Sequence, residues 1–286
     1  MQPKMGYFDI TCLCSAFANL FLATIVCATP IRPLSWEYDF QGESTAPAEN
    51  GQSAPTVIVK GHARLRDDRI RVDLDPSGTA TSHMAGYHLV GLEGGRKLYW
   101  INPKVRKFYE VLADVRDAGI ILPPSQEQAI PRLKNIHISV DNLGEGPELQ
   151  GHPTVHYRFS QTLDAQIGTS HAFRNHFSVD YYFPNDISNF VNPLMFRAVF
   201  ASSEQVPESY MQAVRSELSK LPKLAPLRSV YRDENVDATT QVATIETTTF
   251  EVSNLRLSTP SPDVFDIPSS FEKIDRPRIT AAPVER

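Results

Sequence analysis

The chain has 286 residues, of which 41% are hydrophobic and 21% are charged, and its formal net charge is −5. This composition is typical of a globular protein with a sizeable hydrophobic core. The mildly acidic balance argues against a nucleic-acid partner, because phosphate contacts along a nucleic acid require clustered Lys and Arg residues.

The first 28 residues are typical of an export signal. Lys4 gives the N-terminal region a weak positive charge, and an apolar run extends from Cys12 to Ala28. This run is short for a bilayer span, which needs about 20 apolar residues. We predict a signal peptide at residues 1–28, cleavage after Ala28, and a periplasmic mature protein without a transmembrane segment. A lipoprotein lipidated at Cys27 and a retained N-terminal anchor are the alternatives.

The cysteines bear on the chemistry of the mature protein. All three of them, Cys12, Cys14 and Cys27, lie inside the predicted signal. The mature chain would therefore have no disulfide, no thiolate nucleophile and no cysteine-bound metal. We expect the domain to be stabilised by its core alone, which a chain of this length can provide.

Strict alternation of apolar and polar residues predicts the first strand at residues 34–40. Trp36, Tyr38 and Phe40 would face the same side of a sheet. Residues 42–55 are rich in Ala, Pro, Ser and Gly, and this composition predicts a mobile loop.

Short strands separated by turn residues continue along the chain. Pro, Gly, Asn and Asp interrupt the apolar runs at spacings that are typical of antiparallel sheets, and a turn is predicted at residues 143–147. Further strands are predicted at residues 56–65, 69–75, 87–92, 97–101, 107–112, 136–141, 154–162, 173–183, 227–232 and 241–257.

Helical segments are few. Prolines break residues 113–134 into short helical pieces, and a short helix is predicted at residues 187–201. The clearest helix is predicted at residues 207–221, where a proline suits the first helical position. Its apolar stripe consists of Tyr210, Met211, Val214, Leu218 and Leu221. We predict a single domain at residues 29–275, followed by a disordered tail at residues 276–286.

Several stretches of the chain carry a family resemblance. They are Gly61-His-Ala-Arg-Leu-Arg-Asp-Asp-Arg-Ile-Arg-Val-Asp; His88-Leu-Val-Gly-Leu-Glu with Lys97-Leu-Tyr-Trp-Ile-Asn-Pro-Lys and Phe108-Tyr-Glu-Val; Leu143-Gly-Glu-Gly with Gly151-His-Pro-Thr-Val-His-Tyr; and Phe250-Glu-Val-Ser-Asn-Leu with Val264-Phe-Asp-Ile-Pro-Ser-Ser-Phe. Together they resemble a family of exported bacterial domains of unassigned function in the LolA/LolB-like class of periplasmic lipoprotein carriers. The resemblance covers residues 33–274, and in its last stretch Phe265 and Ile267-Pro268 would close the domain.

The resemblance implies a specific architecture. We expect an α+β fold that is mostly antiparallel β, with a curved sheet, or half-barrel, wrapped around a few short helices. Such a sheet leaves an apolar concave face, which related proteins use for acyl chains or protein partners.

Apolar residues on the predicted strands and helix are the candidate ligand site. Part of this set would line a pocket for an acyl chain; the alternative is an ordinary core beneath the helices. The helical members are either core or a lid whose release opens the site. The candidates are Trp36, Tyr38, Phe40, Tyr99, Ile101, Tyr109, Phe177, Val179, Tyr181, Met211, Val214 and Leu218.

The histidines are the candidates for metal binding or catalysis. His152 and His156 are four apart at a strand start and could face the same side, whereas His171 and His176 have opposite strand parity. A zinc site needs three or four convergent ligands, so we expect structural histidines and no bound metal. The chain lacks a Gly-x-Ser-x-Gly motif, and we predict no catalytic residues.

These observations favour a non-enzymatic periplasmic binding or carrier domain for a lipid or a lipid-modified partner. A periplasmic protein-binding scaffold in envelope assembly or stress is the second hypothesis. A hydrolase that uses histidine is the third. We expect a monomer without a cofactor, whose partner is a lipid or an acylated protein.

Overall fold

In the computed structural model of the protein, most of the described residues lie in β-strands. The structure describes residues 35–45, 56–75, 86–111, 132–167, 171–187, 190–191 and 207–275. The predicted signal peptide, the predicted tail, residues 46–55 of the predicted loop and most of the predicted helical segments at 113–134 and 187–201 lie outside these residues, so they stay predictions.

Twelve strands and one α-helix make up the described part of the chain. The helix, α1, spans Glu208–Leu218. The strands are β1 (Ser35–Thr45), β2 (Thr56–Arg66), β3 (Arg69–Leu74), β4 (His88–Leu92), β5 (Lys97–Asn102), β6 (Lys107–Val111), β7 (Arg132–Glu145), β8 (Thr154–Ile167), β9 (His171–Pro184), β10 (Arg228–Asp237), β11 (Ala243–Ser258) and β12 (Glu272–Lys273).

All twelve strands belong to one sheet. Their order is β12-β6-β5-β4-β3-β2-β1-β11-β10-β9-β8-β7, so β12 and β7 are its two edges. The sheet is curved but not closed, and it is antiparallel except where β12 pairs with β6. The fold is therefore mostly antiparallel β, as the sequence predicted. At 11 residues α1 is too short to cross a bilayer, and the described residues contain no other helix that could do so.

The pairing register divides the side chains between two faces. Paired residues of antiparallel strands point to the same side, and neighbours along a strand point to opposite sides. We call the side that carries Tyr38, Val72 and Leu89 the core face, and the side that carries Glu37 and Arg71 the outer face. The main hydrophobic core lies on the core face.

The alternation predicted for the first strand is confirmed. Trp36, Tyr38 and Phe40 are buried, and the polar residues between them are partly exposed. The strand continues to Thr45, because Ser44 is buried between β2 and β11, where its hydroxyl donates to Glu246 (3.1 Å). Residues 42–45 thus continue the strand, with Gly42 and Ser44 buried and Glu43 and Thr45 exposed, and do not begin the predicted loop.

Phe40 illustrates how closely the central strands pack. Its ring stacks on Phe250 of β11 at 5.2 Å between centroids. It also covers Gly61 of β2, where an added Cβ would collide with the ring and would lie 2.7 Å from the carbonyl oxygen of Asp73. Only a glycine fits at this position without a shift of the neighbouring strands.

Helix α1 lies on the core face over β7 to β9. Tyr210, Met211 and Leu218 are buried, and Val214 is half-buried, as the predicted apolar stripe requires. Glu217 anchors the helix to β7 by accepting a hydrogen bond from the backbone N–H of Val140 (2.9 Å). The helix begins one residue after Pro207 and ends at Leu218, three residues earlier than predicted.

The C-terminal segment crosses the outer face. Arg66 donates to the carbonyl oxygen of Pro260 (2.8 Å), and Arg71 donates to that of Val264 (3.0 Å). The short 3-10 helix Pro262–Phe265 packs against β3 and β4, and Phe265 is fully buried. The segment then adds β12 to the sheet edge beside β6.

The strand β7 is longer at both ends than its sequence pattern indicated. Residues 132–134, predicted to be helical, pair with β8. Residues 143–145, predicted to be a turn, also pair with β8 across a bulge between Asn142 and Gly144, where Gly144 has a φ of 90°. The glycine signal therefore marks a bulge in a continuing strand.

Candidate functional site

The register separates the predicted apolar candidates. Tyr99 and Ile101 lie on the outer face, because Leu98 and Trp100 occupy the core-face positions of β5. The other strand candidates all lie on the core face: Trp36, Tyr38, Phe40, Tyr109, Phe177, Val179 and Tyr181. The structure therefore does not bring the whole set to one surface.

The core face near β1 is filled by aromatic packing. The ring of Phe190 lies edge-on against Trp36 (5.8 Å between centroids) and Tyr38 (5.5 Å). Phe190 itself is fully buried. These residues therefore form a packed core on this face of the sheet.

The helical candidates pack against the other half of the core face. Met211 forms a buried cluster with Leu163 and Ala165 of β8, and half-buried Val214 packs against the same cluster. Leu218 is fully buried in the main core. Helix α1 thus covers the sheet at β7 to β9, and all three candidates face it.

A cavity of about 310 Å³ lies at one end of the core face, beside this cover. We call it the core-face cavity. The start of β8 and the end of β9 form its floor, and the segment after α1 forms its opposite wall. Its apolar lining consists of Val155, Tyr157, Phe183, Pro184, Ile187, Pro222 and Leu224.

The mouth of the core-face cavity is polar. Asn185 and Asp186 contribute to the lining, and both carboxylate oxygens of Asp186 lie 3.0 Å from Nδ1 of His152. Tyr157 meets Phe183 edge-on inside the cavity, while its hydroxyl accepts a hydrogen bond from Asn142 (3.1 Å). The cavity therefore has apolar walls and a hydrogen-bonding, acidic rim.

A cluster of polar side chains occupies the opposite end of the core face. Asn175 donates to Asp233 (2.6 Å) and to Asn235 (3.0 Å), and the hydroxyl of Tyr210 on α1 donates to Gln161 (2.5 Å). The core face thus runs from apolar at the cavity end to polar at the Asp233 end.

The environment of Asp233 in this cluster disfavours a negative charge. Burial is the main cause that raises the pKa of Asp233, and the nearby charge of Glu246 raises it further. The sequence did not predict this cluster, because its signal is weak: with Asp233 and Asn235, the end of β10 has no apolar face.

His152 and His156 do not share a partner. His152 pairs with Asp186, whereas Nε2 of His156 lies 2.7 Å from Asp180 and its ring stacks on Tyr182. His176 lies on the outer face of β9, and the side chain of His171 lies outside the described residues. Among the described residues no group of three or more His, Cys, Asp or Glu side chains is arranged to hold a metal ion.

The outer face carries a network of ion pairs. Asp73 is its centre, and its carboxylate lies 2.5 Å from Arg64, 2.7 Å from Arg71 and 2.6 Å from His88. Burial opposes ionisation of Asp73, but the bonds from His88 and Arg71 outweigh it and hold the pKa well below its usual range. The outer face thus combines this ion-pair network with the buried side chain of Phe265.

These features define a class of structure: an open, curved antiparallel sheet whose covered core face ends in an apolar cavity with a polar rim. No protein-family model matches the chain, and no curated protein is significantly similar to it in sequence.

Proposed function

We propose that this protein is a non-enzymatic periplasmic carrier that binds the acyl chain of a lipid or of a lipid-modified protein. The core-face cavity is the observation that carries the proposal. Its volume of about 310 Å³ is at the lower end of the range found for small-molecule sites, about 300–1,000 Å³. The likeness of several stretches to the LolA/LolB-like class supports the same function.

The lining of the core-face cavity suits a hydrocarbon chain. Val155, Phe183, Ile187 and Leu224 offer no charge along the walls. Each methylene that leaves water for such a site contributes about 0.8 kcal/mol. A chain of several carbons would therefore bind without any polar contact to its length.

The rim selects the head group. Asp186 holds a negative charge at the mouth, and His152 is its only described partner there. A second carboxylate at the mouth would be repelled, whereas hydroxyl or amine groups would donate hydrogen bonds to Asp186. The favoured ligand is an acyl chain with a neutral or cationic head.

Helix α1 acts as the lid in this proposal. The segment that follows it carries Pro222 and Leu224 of the cavity wall, so a shift of α1 changes the cavity. Polar contacts of Tyr210 with Gln161 and of Glu217 with Val140 fasten the helix to the sheet. The curved sheet and this cover together would make the half-barrel that the family resemblance implies.

A titration with a monoacylglycerol that bears a fluorophore on its chain tests the proposal. We expect saturable binding that weakens about tenfold in Leu224→Trp, because the indole fills the cavity. Val242→Trp, at a position 62% exposed outside the cavity, is the matched control and should bind as the wild type does. Equal unfolding midpoints for the two variants would exclude misfolding as the cause.

A protein-binding scaffold in the cell envelope is the second candidate. The packing of Phe190 on Trp36 and Tyr38 favours it, because that half of the core face is filled and leaves recognition to the surface. In this case the wild type would bind no acyl probe but would crosslink to a defined protein in cells.

A further inference from the structure

A second cavity, of about 360 Å³, lies at the other end of β8 and β9. We call it the basic cavity. The two cavities are about nine residues apart along β8, which is roughly 30 Å in an extended strand. The polar lining of the basic cavity consists of Arg132, Lys134, Asp164, Gln166, Arg174 and Gln241.

The sheet register places these charges side by side on the outer face. Lys134 of β7 pairs with Asp164 of β8, which pairs with Arg174 of β9. Neighbouring strands lie about 4.8 Å apart, so the two cations flank one carboxylate. Arg132 lies on the same face two residues before Lys134.

Asp164, the one carboxylate among the described lining residues, already has hydrogen-bond partners. Asp164 accepts from Nε of Arg174 (3.0 Å) through one oxygen and from Asn135 (2.6 Å) through the other. The hydrogen bond from Asn135, followed by that from Arg174, holds the pKa of Asp164 below its usual range. Asp164 therefore stays ionised.

The donors of the cations remain available. Arg132 and Lys134 make no hydrogen bond or ion pair with any part of the chain that the structure describes, and the Nη atoms of Arg174 are not used by Asp164. Three cations thus face one carboxylate in a concave site of a protein whose net charge is −5.

Edge protection is the competing explanation for these charges. Lys and Arg residues on an edge strand such as β7 prevent pairing with other chains. Arg174, however, lies on the interior strand β9, where no edge needs protection. Edge protection also does not require a concave wall that carries the side-chain amides of Gln166 and Gln241.

We propose that the basic cavity binds a phosphate group. Guanidinium groups bind phosphate oxygens in a bidentate manner, and an ammonium group adds a point charge. The phosphate can belong to a small soluble molecule or to a lipid head group at a membrane surface. This site is separate from the core-face cavity, so it does not depend on the proposed carrier function.

Calorimetric titration of the full protein with inorganic phosphate, at low ionic strength, tests the site. We expect saturable binding that weakens about tenfold or more in the double variant Arg132→Gln/Lys134→Gln. Lys104→Gln removes an exposed lysine in the turn before β6 and is the matched control. Asp164→Asn should strengthen binding, because Asp164 is the only acidic residue among the described residues that line the cavity.

A second arm separates the two sources of phosphate. Vesicles of phosphatidylcholine with phosphatidylglycerol are compared with pure phosphatidylcholine vesicles in sedimentation. Binding of inorganic phosphate supports a soluble ligand, and binding of the anionic vesicles alone, with the same loss in the double variant, supports a head group. The proposal would be overturned if the protein bound neither inorganic phosphate nor the anionic vesicles, or if the double variant bound them as well as the wild type does.

Discussion

Asp233 and Glu246 face each other directly across the pairing of β10 with β11, on the core face of the sheet. Two carboxylates in this position repel each other, and like charges directly opposite in a sheet are destabilising. The protein tolerates the pair because Asn175 donates to Asp233 and Ser44 donates to Glu246.

Replacing Asp233 with asparagine should therefore stabilise the protein at neutral pH. The amide side chain of this variant would keep an oxygen that accepts from Asn175 but would lose the charge, and we expect a gain of about 0.5–1 kcal/mol in the free energy of unfolding. Urea unfolding at pH 7 measures it, with the exposed Glu148→Gln as control. A loss of stability would show that the ionised carboxylate is needed.

The gain should depend on pH. Burial raises the pKa of Asp233 in the folded state, so the wild type loses stability as pH rises from its unfolded pKa of about 3.9 through the raised value. The advantage of Asp233→Asn should thus be absent in acid and full at neutral pH. A pH-independent difference between the two proteins would contradict this explanation.

Asp73→Asn should have the opposite effect. The substitution weakens the bonds to Arg64, Arg71 and His88 and should cost about 2 kcal/mol at pH 7. Because the folded pKa of Asp73 is lowered, its contribution is present above the unfolded pKa of about 3.9 and is lost as pH falls through the lowered value. Denaturant unfolding from pH 7 downward measures this loss, and the exposed Asp68→Asn should change little.

Gly61→Ala tests the close packing of the central strands. The added methyl meets the ring of Phe40 and the carbonyl oxygen of Asp73, so we expect a loss of about 1–3 kcal/mol. Phe40→Leu removes the far end of the ring, and the double variant should lose less than the sum of the two single variants. Additive losses would place the strain elsewhere.

Phe265→Ala should release the C-terminal segment from the outer face. Phe265 is fully buried, and such truncations cost about 3–5 kcal/mol. Limited proteolysis should cut residues 259–275 faster in this variant than in Phe271→Ala, because the side chain of Phe271 is only partly buried. Unchanged cleavage would mean that Arg66, Arg71 and the pairing of β12 with β6 hold the segment without Phe265.

The sequence predicted those features that depend on alternation within one strand. The burial of Trp36, Tyr38 and Phe40 follows from the period of two. Local patterns of this kind require no knowledge of the strand's neighbours.

The sequence could not predict what covers each face. In β5 both parities hold buried apolar residues, Leu98 on the core face and Ile101 on the outer face. Alternation within the strand therefore does not assign Tyr99 and Ile101 to a face. The core-face cavity is likewise formed by segments that are far apart in the chain, Tyr157 with Leu224 for example. Such contacts depend on tertiary packing and leave no periodic signal.

Photolabelling with a monoacylglycerol that carries a diazirine on its acyl chain tests the carrier function most directly. The structure predicts that covalent adducts fall on peptides with Tyr157, Phe183 and Leu224, and that unlabelled monoacylglycerol suppresses them. A fatty acid of equal chain length should compete less well, because Asp186 repels its carboxylate. Adducts that fall outside these peptides, or that no competitor suppresses, would contradict an acyl-binding core-face cavity.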